Sequence, residues 1–254
     1  MITRPTHSAT TWQDKLFSVG AWLVWIVVAY FLANLVMAVL LIFLQHYHLI
    51  DYNNSNTIAK FMIDLAMYIL ILLIAVFVPI WWRRRKQQEK IKNQEILEQI
   101  GLIRRPKLID LSYFAANVPV FYVVNFTIAY VAIMLLGPEI MSQNQSLSFS
   151  TDGNDWWQLI IIALTFVIIA PLFEEILMRG FLFTKVRKYL SFWPTAVTVS
   201  LLFALAHMQI NVGIMTFIMS MFCCRIREKT GTIWGGIFLH AFVNAVSFTF
   251  LFLV

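Results

Sequence analysis

The stretch Trp156–Gly180, WWQLIIIALTFVIIAPLFEEILMRG, decides how this chain is read. From Trp156 to Phe173 it carries no charged side chain. At about 1.5 Å of helical rise per residue, that run nearly fills the depth of a bilayer core. It then meets Glu174, Glu175 and Arg179 in quick succession. A run this apolar is a membrane helix, because lipid offers no partner to an open backbone. Ionisable groups inside it are expensive to hold there, so each is a functional candidate.

The rest of the 254-residue chain repeats the apolar part of this pattern. Sixty per cent of the residues are apolar and 13% are charged, and the mean hydropathy is +0.76. Soluble domains run nearer half apolar and a quarter charged, which excludes an ordinary cytosolic enzyme and a disordered chain. Apolar segments fall at about 21–44, 58–82, 110–136, 156–183, 194–209, 212–224 and 232–253. Seven spans of roughly 20 residues need about 140 residues, which this chain can supply. The expected fold is therefore all-α, a multi-pass integral membrane protein with about seven transmembrane helices. The sixth segment is short and is expected to be tilted or partly re-entrant. The first is too long for a cleaved signal sequence and reads as a retained anchor. The Gly137-Pro138 pair and the polar stretch 142–155 divide a three-span region, 1–154, from a four-helix region, 155–254.

Charge placement gives the expected orientation. The net charge is +6. Of 19 Lys and Arg, 18 fall in the N-terminal tail, in the loop 83–107, between Arg179 and Lys188, and between Arg225 and Lys229. Seven spans put all of these on one side. The opposite loops, 45–57 and 138–155, hold only acids: Asp51, Glu139, Asp152 and Asp155. Cytoplasmic loops collect Lys and Arg, so the N-terminus is expected in the cytoplasm and the C-terminus outside. The basic excess then needs no nucleic acid. The loop 83–107 reads as a solvated helical connector in contact with membrane lipid. The remaining cation, Lys60, is four residues from Asp64 and is expected to pair with it. Asn34, Asn117 and Asn125 are expected to bond from helix to helix. Cys223 and Cys224 are neighbours whose side chains diverge, and they read as reduced packing residues.

Three C-terminal segments carry polar groups of another kind: Glu174, Glu175 and Arg179; then Phe203 and His207; then His240 and Asn244. Counted inward from the basic edge, Glu174 and His240 lie about 16 Å deep, and His207 and Asn244 about 21–22 Å. Glu175 and Arg179 are four apart and share a helix face, so they are expected to pair. Glu174 points about 100° away and is left for other partners. Peptide hydrolysis needs an activated water, a proton carrier and stabilisation of an oxyanion. Glu174 and His207 can hold and deprotonate the water, and His240 and Asn244 can donate to the oxyanion. The same residues also admit a metal reading, with Glu174, His207 and His240 as three ligands of a catalytic zinc. The cofactor is thus either none or zinc.

These strings resemble the CAAX protease and bacteriocin-processing family of intramembrane proteases, also called the Abi family. Its pattern is met by Glu174-Glu175-x-x-x-Arg179, by Phe203-x-x-x-His207 and by His240-x-x-x-Asn244, in order and spacing. Arg179-Gly180-Phe181 and the run GTIWGGIFLHAFVN also look typical. The resemblance covers roughly 155–250. It implies that Glu174 activates water with His207, that His240 and Asn244 form the oxyanion site, and that Glu175, Arg179 and Phe203 support them. No HExxH, GxSG or GxGD motif points to another intramembrane protease class.

The expected function is an endopeptidase seated in the cell membrane that takes a peptide or protein substrate from the cytoplasmic side. The substrate would be a membrane-anchored or prenylated C-terminus or a small peptide precursor. A non-catalytic bacteriocin-immunity or peptide-binding protein is the competing class, and a small transporter ranks below both because the polar groups cluster instead of lining a path.

Overall fold

The computed structural model describes residues 11–49, 57–87, 93–141 and 156–252. In chain order the helices are α1 (Trp12–His46), α2 (Thr57–Lys86), α3 (Asn93–Gln99), α4 (Leu108–Leu136), α5 (Trp156–Val186), α6 (Phe192–Leu205), α7 (Ile210–Thr230) and α8 (Trp234–Phe252). A one-turn helix, Pro138–Met141, follows α4. No strand occurs among the described residues. All but α3 and α6 of the named helices are long and apolar enough to cross a membrane, six in number. Large apolar side chains such as Phe31, Leu35, Val123 and Phe126 lie exposed on them, as a lipid-facing surface requires. The protein is a polytopic all-α membrane protein.

Thr11 opens α1 through a capping box. The Asp14 N–H donates to the Thr11 hydroxyl, and the Thr11 N–H donates to the Asp14 carboxylate. At the other end of the chain, Gly231 closes α7 at φ 74°, ψ 0°. That left-handed conformation suits a residue without Cβ and lets α8 start at once. The helix at the centre is α5, which packs on α1, α2, α3, α6, α7 and α8.

Proline shapes the two helices that meet near the centre. In α2 the turn Leu73–Phe77 is π-helical, and Pro79, four residues beyond Ala75, has no N–H to give the Ala75 carbonyl. Trp25 on α1 fills that place, its indole N–H donating to Ala75 O at 2.9 Å. In α5 the turn Leu164–Ile169 is π-helical, and the Ala170 N–H reaches back to Thr165 O. Phe166 O would then accept from residue 171, but Pro171 has no N–H. Asn244 on α8 donates to it instead, at 2.8 Å. Each orphaned carbonyl becomes a tie between helices.

Several expectations change. The short segment is the fifth, α6, with 14 residues, whereas the sixth forms the 21-residue α7. The basic residues 225–229 continue the α7 helix instead of ending it, so an apolar count stops too early. Seven spans become six long helices and one short one. The connector is only partly solvated. Arg84 to Lys86 are exposed, but Gln99 and Gly101 are buried. The Lys185 ammonium donates to Gln99 Oε1 at 2.8 Å and stands over the Trp22 and Phe181 rings. Among the described residues Lys60 and Asp64 form no ion pair. Asn34 and Asn117 bond back to the carbonyls of Tyr30 and Tyr113 on their own helices, not across to others. Cys223 and Cys224 are free and buried. Asp51, Asp152, Asp155, Arg4, Lys90 and Lys92 lie outside the described residues.

The basic edge is clasped together. Arg104 holds Asp110 with two nitrogens at 2.5 and 3.0 Å, and the Thr232 hydroxyl donates to the same carboxylate at 2.9 Å. The Trp234 indole donates to Arg104 O at 2.7 Å. Arg187 and Glu228 pair at 2.9 Å, which brings the ends of α5 and α7 to one level. Gly180 allows the backbone after α3 to lie directly on α5, because a Cβ there would collide with the Ile100 carbonyl. Gly180→Ala is therefore expected to cost about 1–3 kcal/mol and to lower the melting midpoint in detergent by several degrees. An unchanged midpoint would show that this contact does not bear on stability.

Candidate active site

The site grows from one short α-helical piece of α5, Ala170–Glu175, set between π-helical stretches at Leu164–Ile169 and Ile176–Leu182. Such π insertions change which residues share a face, and they are common at functional sites. The two adjacent carboxylates are treated differently. Glu175 is fully buried and Glu174 is 26% exposed. Glu175 Oε1 lies 2.7 Å from Arg179 Nη1, and both side chains have no solvent exposure. The expected pair is present.

Other helices close around it. The Arg179 guanidinium stands over the Phe203 ring at 4.6 Å. Phe203 in turn meets the His207 ring edge-on at 4.9 Å and the His240 ring at 5.8 Å. This gives the Phe-x-x-x-His spacing its reason: one ring supports a cation and two imidazoles. His240, on α8 and 3% exposed, points Nδ1 at Glu175 Oε1 across 3.3 Å and Nε2 at Glu174 Oε2 across 3.7 Å. Gly236 makes that approach possible, since a Cβ there would sit 2.8 Å from Glu175 Oε2.

His207 lies in the turn just after α6. Its Nδ1 is 2.8 Å from its own Phe203 carbonyl. A carbonyl only accepts, so Nδ1 carries the hydrogen, and a neutral His207 presents Nε2 as a lone pair. By the same logic Nδ1 of His240 donates to Glu175. Asn244 gives one amide hydrogen to Phe166 O and keeps a second. Glu174, Glu175, Arg179, Phe203, His207 and His240 are thus brought together by direct contacts, and Asn244 sits one turn along α8 from His240.

Among the described residues no three His, Cys, Asp or Glu side chains gather closely enough to hold a metal ion. Two contributors were not legible as site residues: Gly236, visible only as part of a typical-looking run, and Phe166, whose carbonyl becomes available only through the π turn and Pro171.

Fold and motifs define a membrane protein whose C-terminal helices carry a buried carboxylate and imidazole site. Residues 156–246 match the family model described as Rce1-like, type II CAAX prenyl endopeptidase. The match runs from the first turn of α5 into α8 and takes in every motif residue, so the resemblance read from the sequence holds there. That family is one of proteases. No curated protein and no solved structure matches the chain.

Removing one partner of a buried ion pair costs about 3–5 kcal/mol, because a bare charge is left behind. Arg179→Met is expected to lose that much in an unfolding titration in detergent and SDS. Glu175→Gln combined with Arg179→Met is expected to recover most of it. Equal losses in the single and double variants would mean that the pair is not coupled.

Proposed function

We propose that this protein is an intramembrane endopeptidase in which Glu174 and His207 activate water. Its substrate is a membrane-anchored or prenylated protein C-terminus, or a small peptide precursor, presented at the basic edge from the cytoplasm. The observation that carries the reading is the contrast between the two carboxylates. Glu175 is locked in a buried ion pair, while Glu174 stays partly open, 3.7 Å from a buried imidazole, inside the stretch that matches an endopeptidase family.

The chemistry follows from the atoms available. A water between Glu174 and Nε2 of His207 donates to both, which turns its lone pair toward a scissile carbonyl. As the oxygen attacks, Glu174 takes a proton and the carbonyl oxygen gains charge. His240, when protonated on both ring nitrogens, has Nε2–H to give that oxyanion, and the second hydrogen of the Asn244 amide is the other donor. Glu174 then returns its proton to the leaving amine as the C–N bond breaks. Each role uses a group the fold has left free. The buried Glu175–Arg179 pair fixes the ring of His240 and takes no proton.

A general base contributes roughly 10²–10⁴-fold. Glu174→Gln and His207→Ala are each expected to reduce cleavage of a farnesylated CAAX-tailed peptide by that order in reconstituted vesicles, with insertion unchanged. Comparing membrane-anchored C-termini and secreted peptides between wild-type and Glu174→Gln cells would identify the natural substrate. Full turnover by Glu174→Gln would sink the mechanism.

A further inference from the structure

The basic edge divides into cations that the fold uses and cations that it leaves out. Arg104 holds Asp110, Arg187 holds Glu228, and Lys185 donates to Gln99. Composition alone spreads lipid contact over the whole loop 83–107. The fold narrows it, because Gln99 and Gly101 are buried and Ile96 and Ile100 pack on the core. The end of α2 stays outside. From Trp81 to Lys86, in the run WWRRRK, every side chain is exposed. The last ten residues of this helix, 78–87, carry four cations and no acid. Arg84, Arg85 and Lys86 form no ion pair among the described residues.

The helix sets these cations above the two tryptophans. Trp81 and Arg85 are four apart, as are Trp82 and Lys86, so each indole shares a face with a cation one turn, about 6 Å, further along. The first pair is in contact, with the Arg85 guanidinium over the Trp81 ring at 4.6 Å. A guanidinium stacked on a ring keeps its N–H fork at the rim, where it fits a phosphate. A helix C-terminus favours cations. That accounts for Arg84 to Lys86 but not for two exposed indoles one turn before them. Indoles settle where acyl chains meet headgroups. An amphipathic ring with a cation one turn beyond it matches the order of a phospholipid, glycerol and upper chain first and phosphate next.

We propose that the end of α2 is a docking site for an anionic phospholipid, with Trp81 and Trp82 against its glycerol and upper acyl region and Arg84, Arg85 and Lys86 on its headgroup. The site is independent of the reaction performed at the buried carboxylates. Its occupant is a lipid and not a free anion, because half of the surface is aromatic and apolar.

Native mass spectrometry of the full chain in detergent, titrated with dioctanoyl-phosphatidylglycerol or dioctanoyl-phosphatidylcholine, tests this. A Lys or Arg near an anionic lipid surface contributes about fivefold in affinity. The wild type is therefore expected to bind phosphatidylglycerol at least about fivefold more tightly than phosphatidylcholine. Replacing Arg84, Arg85 and Lys86 together by Gln is expected to bring the two lipids within about twofold of each other, with the melting midpoint unchanged. Replacing the exposed Arg105, Arg225 and Lys229 by Gln removes as much charge from the same edge and is expected to keep the preference. Trp81→Leu with Trp82→Leu retains every cation and is expected to weaken phosphatidylglycerol binding several-fold. No preference in the wild type, or equal losses in the two charge variants, overturns the proposal. Unchanged affinity in the tryptophan variant, or displacement of the lipid by excess inorganic phosphate, overturns the assignment of a lipid.

Discussion

An arginine and a glutamate with no solvent exposure, 2.7 Å apart in an apolar bundle, set the terms for everything around them. Taking two charges out of water costs several kcal/mol per ion even after relaxation. Their mutual attraction offsets this only with good geometry and further polar support. The surroundings supply it piece by piece. Phe203 offers its ring face to the guanidinium, His240 offers an N–H to the carboxylate, and Gly236 gives up a side chain so that α8 can come close. These neighbours are the rest of the site. The pair therefore works as a template: the groups needed to stabilise it are also those that bring Glu174, His207 and His240 together.

Much of this was legible. The Glu175–Arg179 pair follows from a spacing of four on a helix, and the openness of Glu174 follows from the same geometry, since its neighbour cannot face the same way. The similar depths of Glu174 and His240 could be counted from the basic edge. What could not be read were effects that depend on a break in regular helix. The π turns of α5 shift which side chains share a face, and nothing in the residue pattern of Leu164–Ile169 or Ile176–Leu182 announces them. The link from Asn244 to Phe166 needs both a π turn and the missing N–H of Pro171.

The errors have physical causes too. A hydropathy count ends a span where charges begin, but α7 carries Arg225, Arg227 and Lys229 on its last turns. Arg227 there meets a buried edge, donating to the Arg179 carbonyl at 3.4 Å and to the Gly231 carbonyl, while Arg225 and Lys229 are exposed. The loop 83–107 looks solvated by composition, yet its apolar Ile96 and Ile100 pack into the core. Asn34 and Asn117 had an acceptor four residues back on their own helices and took it. Local partners win when they lie within reach without ordering a second chain segment.

The short α6 has a consequence for the lipid itself. Fourteen residues rise about 21 Å, against a hydrocarbon layer of about 30 Å. The turn that follows carries His207 and the exposed Met208, so a polar loop ends the helix before the layer does. A bilayer of ordinary thickness would have to thin beside such a helix, or admit headgroups and solvent there. Any such dimple would lie next to the imidazole proposed to hold the hydrolytic water. A protein that must bring water into oil can do so by deforming its solvent, without building a channel through itself.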